Sequence, residues 1–218
     1  MPKPKLIGKP KNTDIAFSDR KLEVLRAAAG LFNRNGYHNT TMDDIAAALS
    51  VTKPALYYYA RSKDSLLYHV IEFAMDETQK TTDEIERSSQ SGAEKLKVFF
   101  SRWLEIALDD FGRCLIQSRN NTFERNTQKK NTEARRQVHD KVLGFVKLGI
   151  SDGSLGPHDP QLVTLALFDC FNGVALWFDP RGAHSIEVIF EHHWQLLFDG
   201  LSRRGKEHTV DSNKAQND

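Results

Sequence analysis

Between Thr40 and Lys63 the chain reads TTMDDIAAALSVTKPALYYYARSK, and its apolar positions recur there at helical spacing. Ile45, Ala46, Ala48 and Leu49 share one face, preceded by Thr41-Met42-Asp43-Asp44, a Ser/Thr-x-x-acid helix start. Its two carboxylates stand at the positive end of the helix dipole. This predicts a helix over about 42–49. Ser50-Val51-Thr52 breaks the pattern, and Thr52 is a good N-cap for a second helix over about 53–59, opening Lys53-Pro54-Ala55. Proline costs little in a first turn, where its missing N–H would have had no partner. The second helix carries Tyr57, Tyr58 and Tyr59 in a row. Consecutive helical residues point about 100° apart, so one core cannot bury all three. At least one tyrosine is expected to face outward beside Thr52 and Lys53.

Helical spacing continues on both sides. Leu22, Leu25, Ala29 and Phe32 predict a first helix from about Ser18, with Asp19 beside the cap, to Asn35, closed by Gly36 at C′. Ser62 caps a long helix through Leu66, Leu67, Val70, Ile71, Phe73 and Ala74 to about Ile85. Leu96, Phe99, Phe100, Trp103, Leu104 and Ala107 mark another over about 92–109, and a shorter element follows from Phe111 to Asn120. The stretch 123–151 is polar first and apolar later, so its basic run between Arg125 and Arg136 reads most simply as a solvated face. Asp159 and Pro160 restart the chain as N-cap and N1 of a helix over about 160–178 that is apolar nearly all round. A last helix is expected over about 184–202. From Ser91 to Leu201 there is neither a strand pattern nor an internal repeat, and the predicted fold class is all-α.

Composition adds limits rather than detail. The 218 residues suffice for a sizeable core, and no run of 18 apolar residues or apolar leader occurs, so no membrane span or signal peptide is expected. Cys114 and Cys170 have no metal-ligand spacing and fit a reducing cytoplasm. The net charge of +1 is unevenly spread: residues 1–70 carry 11 Lys and Arg against 6 Asp and Glu, the remainder 19 against 23. A basic front and an acidic remainder suit a protein that holds phosphates with one part only, chance variation being the bland alternative. Residues 1–17 read as a flexible basic arm, a solvated tail more readily than a minor-groove finger, and 204–218 as a disordered polar tail.

A capped short helix, a tight turn and a second helix with hydroxyls and a cation at its start form a helix-turn-helix pattern, which lays the second helix in the DNA major groove. An ordinary helical hairpin with surface tyrosines is the alternative. The run from Val24 to Tyr37, with Thr40-Thr41, Ile45-Ala46, Val51-Thr52-Lys53, Ala55-Leu56-Tyr57-Tyr58-Tyr59 and Ser62-Lys63-Asp64-Ser65-Leu66-Leu67, closely resembles the TetR family of transcriptional regulators. Pro54 stands where many members have glycine, and Ala60 where phenylalanine is usual. The resemblance implies an N-terminal three-helix DNA-binding domain over 18–62, or 18–70 with the start of a connector helix. A larger effector-binding and dimerisation domain over 63–203 would follow. It further implies that Thr41, Tyr58 and Lys63 hold phosphates, while Thr52, Lys53, Pro54, Ala55 and Tyr57 face base edges of a pseudo-palindromic duplex.

The two last predicted helices carry more apolar surface than one helix pair can hide. They either complete a monomer core or, as the resemblance implies, pair with a second copy through residues such as Phe168, Ile189, His193, Leu196 and Leu197. An effector cavity is implied in the same half, with Phe99, Phe100, Trp103, Phe111, Phe123, Phe145, Phe171 and Trp177 as candidate lining, although helical cores use aromatics anyway. The runs Gly149-Ile150-Ser151-Asp152-Gly153-Ser154-Leu155 and Phe171-Asn172-Gly173-Val174-Ala175-Leu176-Trp177-Phe178-Asp179-Pro180-Arg181-Gly182 resemble members that respond to acyl-CoA thioesters. Arg102, Arg119 and Arg125 are then candidate phosphate partners, each equally readable as a surface residue. A hydrophobic drug or aromatic metabolite is the competing effector class. No catalytic motif is found: no nucleophile elbow, phosphate loop or dinucleotide fingerprint occurs, and adjacent His192 and His193 diverge by about 100°, so no enzyme is expected, a helical lipid- or thioester-binding enzyme or carrier being the rival class. No metal or cofactor is expected. Asp43-Asp44 and Asp109-Asp110 read as helix-end features.

Overall fold

The computed structural model describes residues 12–118 and 125–199, excepting the side chains of 12–18, 125–127, 129 and 130. Its helices are α1 (Asn12–Asn35), α2 (Met42–Ala48), α3 (Lys53–Tyr57), α4 (Lys63–Glu86), α5 (Gly92–Leu108), α6 (Asp110–Gln117), α7 (Arg125–Asp152), α8 (Pro160–Trp177) and α9 (Ile186–Asp199). No strand occurs among the described residues. The helices up to α8 belong to one compact unit ending at Asp179, and α9 belongs to a second that starts at Pro180.

Most helix starts lie where side chains can bond the otherwise unpartnered N–H groups. Thr41, Thr52, Ser62, Ser91, Asp109 and Asp159 all act as N-caps. The expected cap at Ser18 is a correction: α1 already runs from Asn12, so 12–17 are helical rather than part of an extended arm. The rest of that arm, and the tail from 204, lie outside the described residues. Gly36, with φ of +82°, ends α1 and donates its N–H to the Phe32 carbonyl. Serine does the same work after α2. Ser50 has φ of +55°, and the N–H groups of Ser50 and Val51 return to the carbonyls of Ala47 and Ala46, closing the helix end in a Schellman arrangement.

The head consists of α1 to α3 around Val24, Ala28, Phe32, Ile45 and Leu56, all buried. Helix α4 leaves it and runs between α5, α6 and α7. Buried Thr78 and Thr82 on α4 donate back to the carbonyls of Ala74 and Thr78, so neither hydroxyl is left without an acceptor. At the far end of α4 the ammonium of Lys95, 4% exposed, donates to the carbonyls of Ile85, Glu86 and Ser88 at 2.7–2.9 Å. A cation satisfying the last carbonyls of a helix is favoured by both hydrogen bonding and the dipole. Where α5 meets α8 the packing is aromatic: Phe100 stacks on Phe171, Phe99 on Trp103, and Phe168 meets all three α5 rings edge-on.

Candidate nucleic-acid interface and effector cavity

Helix α3 presents a surface rather than a core. Only Leu56 is buried among its residues, while Thr52, Lys53, Pro54, Ala55 and Tyr57 are exposed together, with Tyr58 at 75% just after. Tyr59 is half-buried, so two of the three tyrosines face outward. The Thr52 hydroxyl accepts from the Ala55 N–H, and Lys53 lies 2.8 Å from Asp43 on α2, which holds its ammonium above the usual lysine range through that hydrogen bond. Thr41 and Asp44 cap α2 reciprocally. The Thr41 hydroxyl accepts from the Asp44 N–H and donates to its carboxylate at 2.7 Å, holding Asp44 below its usual range.

Lys63, expected to hold a phosphate, is half-buried and has partners within the protein. Its ammonium donates to the carbonyls of Tyr37 and His38, at 2.8 and 3.3 Å, and lies over the Tyr37 ring. Tyr37 in turn donates to Asp64. The start of α4 is thereby braced against the loop leaving α1. Arg61, exposed between α3 and α4, is a cation the motif reading passed over.

A cavity of about 430 Å³ opens among α4 to α8, and its walls come from distant parts of the chain. Trp103 and Phe168 supply rings, Met75, Leu115 and Val138 aliphatic surface, and Arg135, Arg136, His139 and Asn172 polar groups. The Trp103 indole N–H donates to the Asn172 amide oxygen at 2.9 Å, and the His139 ring stacks near Phe168. Of the expected lining among the described residues, Trp103 alone is brought to this cavity. Phe99, Phe100, Phe145 and Phe171 are buried core, because faces of α5, α7 and α8 that pack on each other consume the largest rings first. Phe111 sits against Phe73 and beneath Arg26, where α6 meets the head. Trp177 is 57% exposed, and Phe123 lies outside the described residues.

The expected interface residues also divide. Leu196 and Leu197 are exposed, His193 is half-buried and bonded to the Ile189 carbonyl, Ile189 is buried, and Phe168 is a cavity wall. The large apolar side chains exposed on α8 are instead Leu162 and Leu165 near its start, the latter also at the cavity, and Leu176 and Trp177 at its end. Arg102 pairs with Glu84 on the surface, Arg119 lies outside the described residues, and so does the side chain of Arg125. The cavity's cations are Arg135 and Arg136, within the run read as a solvated face. Polar Asp169 and Asn172 inside the apolar α8 were the available signal for a polar wall. Among the described residues no three His, Cys, Asp or Glu side chains gather as metal ligands, and no helix is long and apolar enough to cross a membrane.

Residues 24–70 match the family described as bacterial regulatory proteins, tetR family, and 89–201 match the tetracyclin repressor-like C-terminal domain. The HTH-type transcriptional repressor KstR2 of Rhodococcus jostii is 26% identical over 85% of this chain and 92% of its own. The fold is shared with AibR in complex with isovaleryl coenzyme A and operator DNA (TM-score 0.76, 21% identity, 84% of this chain and 100% of that one). It is shared equally with the ketosteroid transcriptional regulator KstR2 of Mycobacterium tuberculosis (TM-score 0.76, 19% identity, 84% and 95%). With its head and the greater part of its helical body both matched, the chain belongs to the TetR family of transcriptional regulators.

Proposed function

We propose that this chain is a homodimeric repressor that leaves a pseudo-palindromic operator when a partly apolar effector enters the cavity. The observation that carries the DNA reading is α3 itself, a capped helix anchored by one buried leucine with every other described side chain on its start exposed. Thr52, Lys53, Pro54, Ala55 and Tyr57 then meet base edges, while Thr41 and Tyr58 meet phosphates. An ammonium has three donors, and Lys63 uses two on carbonyls, so the third is its contribution to a phosphate.

Two copies supply the two half-sites, joined through exposed apolar side chains such as Leu162, Leu176 and Trp177 of α8 and Val188, Leu196 and Leu197 of α9. An acyl-CoA thioester fits the effector role through a cavity with rings at one wall and guanidinium groups at another, and AibR, which shares the fold, was crystallised with such a thioester. A hydrophobic drug or aromatic metabolite would use the Trp103 and Phe168 rings alone. Selection of duplexes from a random pool, followed by sedimentation of the complex, tests the reading. Recovered sites with two-fold symmetry binding two chains per half-site pair support it, and recovery of no consensus overturns it.

A further inference from the structure

Helix α8 is apolar along most of its length, yet Asn172 stands on it at the cavity, half-buried beside the Trp103 and Phe168 rings. An amide beside rings costs free energy unless it is hydrogen-bonded, and only half of this one is. The Trp103 indole N–H donates to the Asn172 oxygen at 2.9 Å. An indole nitrogen can only donate, so this bond fixes which way round the amide stands, with its oxygen towards Trp103 and its NH2 away. Trp103 is itself held, 6% exposed and stacked on Phe99, so the amide has a rigid partner. No hydrogen bond takes the NH2 among the described residues, where no buried side-chain nitrogen lacks a partner, so the NH2 reaches open space. The space that Asn172 lines is the cavity. Other polar groups of the wall are placed differently. Gln128, Thr132, Arg136 and Asp169 are exposed, where water competes for them, and the His139 ring meets the Gln161 amide at 3.3 Å. Asn172 thus offers a donor of fixed direction against aromatic surface.

Resting on the reading of the cavity as the effector site, we propose that Asn172 selects effectors with a carbonyl oxygen set in an apolar body, its NH2 donating to that oxygen. A carbonyl oxygen only accepts, so it matches this donor and brings no donor of its own that would need a partner. The Trp103 bond polarises the amide and strengthens its NH2 as a donor, and the low polarity beside the rings strengthens the contact again. Ketone and thioester carbonyls share this chemistry. A hydrocarbon of the same shape expels water from the NH2 and leaves it unpaired, which counts against its binding.

Calorimetry on the full chain without DNA tests the selection apart from operator binding. The probes are dibutyl ketone, S-butyl thiovalerate, dibutyl carbinol, and the alkene that carries a methylene group in place of the ketone oxygen. The alkene reports apolar burial alone, so the readout is each probe's affinity relative to it. Asn172→Asp keeps an acceptor for Trp103 and turns the donor into a second acceptor. It should lower the relative affinity for the ketone about tenfold and favour the carbinol, which can donate, over the ketone. Asn172→Leu should weaken the ketone by a similar factor without favouring the carbinol. That contrast between the two variants is one that a merely structural asparagine would not produce. Tighter wild-type binding of the thioester than of the ketone identifies a thioester effector, the reverse order a ketone, and either supports the selection. A ketone-to-alkene ratio that Asn172→Asp leaves unchanged overturns the role of Asn172 and leaves the cavity reading in place. A chain that takes up none of the four probes overturns both. The predicted ratios in a chain that selects no DNA would leave this inference standing and sink the repressor reading.

Discussion

The helix starts of the head and the wall of the cavity satisfy polar groups over different distances. At those helix starts partners lie three residues apart: Thr41 with Asp44, Thr52 with Ala55, Ser62 with Ser65. Across the cavity wall two bonds join different helices: Trp103 with Asn172 and Arg135 with Leu115. Local bonds close as each helix forms and leave little to exchange. Long-range bonds depend on how helices are placed, so a ligand that offers a better partner can change that placement. The head proposed to read DNA and the cavity proposed to take an effector thus differ in the kind of contact that defines them.

The largest expected loss comes from emptying the centre of the head. Leu56→Ala removes a fully buried side chain and should cost about 2–5 kcal/mol, abolishing DNA binding while probe binding in the cavity persists. Loss of both together, in calorimetry and anisotropy, would break the separation of the two regions. Lys95→Met tests the other region. It leaves three carbonyls at the end of α4 without their cation and should cost about 2–3 kcal/mol in chemical denaturation. Ser62→Ala uncaps the other end of α4 for about 1 kcal/mol, and because the lost bond is local the cavity should not notice.

Acid should weaken the carboxylates that serine and threonine hydroxyls hold. The Thr41 hydroxyl lowers Asp44, the Ser91 hydroxyl lowers Glu94 and the Ser154 hydroxyl lowers Asp152, so each carboxylate is more acidic folded than unfolded. Their stabilisation is complete above the ordinary carboxylate value of about 4 and is lost as pH falls through the lowered folded values. The melting temperature should decline over that window, and a chain carrying Asp44→Asn should decline less. The smallest effect expected is a gain. Ser50→Gly suits a φ of +55° and should stabilise by about 0.5–1 kcal/mol without altering DNA selection.

This division also governs what could be read before the structure. The caps at Thr41, Thr52, Ser62 and Asp159 and the outward tyrosines were legible, because cap and face follow from neighbours within one turn. The earlier start of α1 was not, since Ser18 offers a good cap that the chain simply runs past. Nor was the cavity. Arg135 reads as one more surface cation until the end of α6 is placed against it, and Phe168 turns from an interface candidate into a wall only when α5 and α7 are set beside α8. Buried Cys114 carried no pattern either. Its thiol is pushed up to about 12 by burial and by Asp110 and Asp109, which belongs to the junction of α6 with α1 rather than to any motif.

Coupling between the cavity and the head can be read by fluorescence anisotropy on a selected operator duplex titrated with decanoyl-coenzyme A. Release of the duplex by the thioester, with no release by coenzyme A alone, is the predicted result. An operator complex that stays intact while calorimetry shows the thioester bound in the cavity would contradict it.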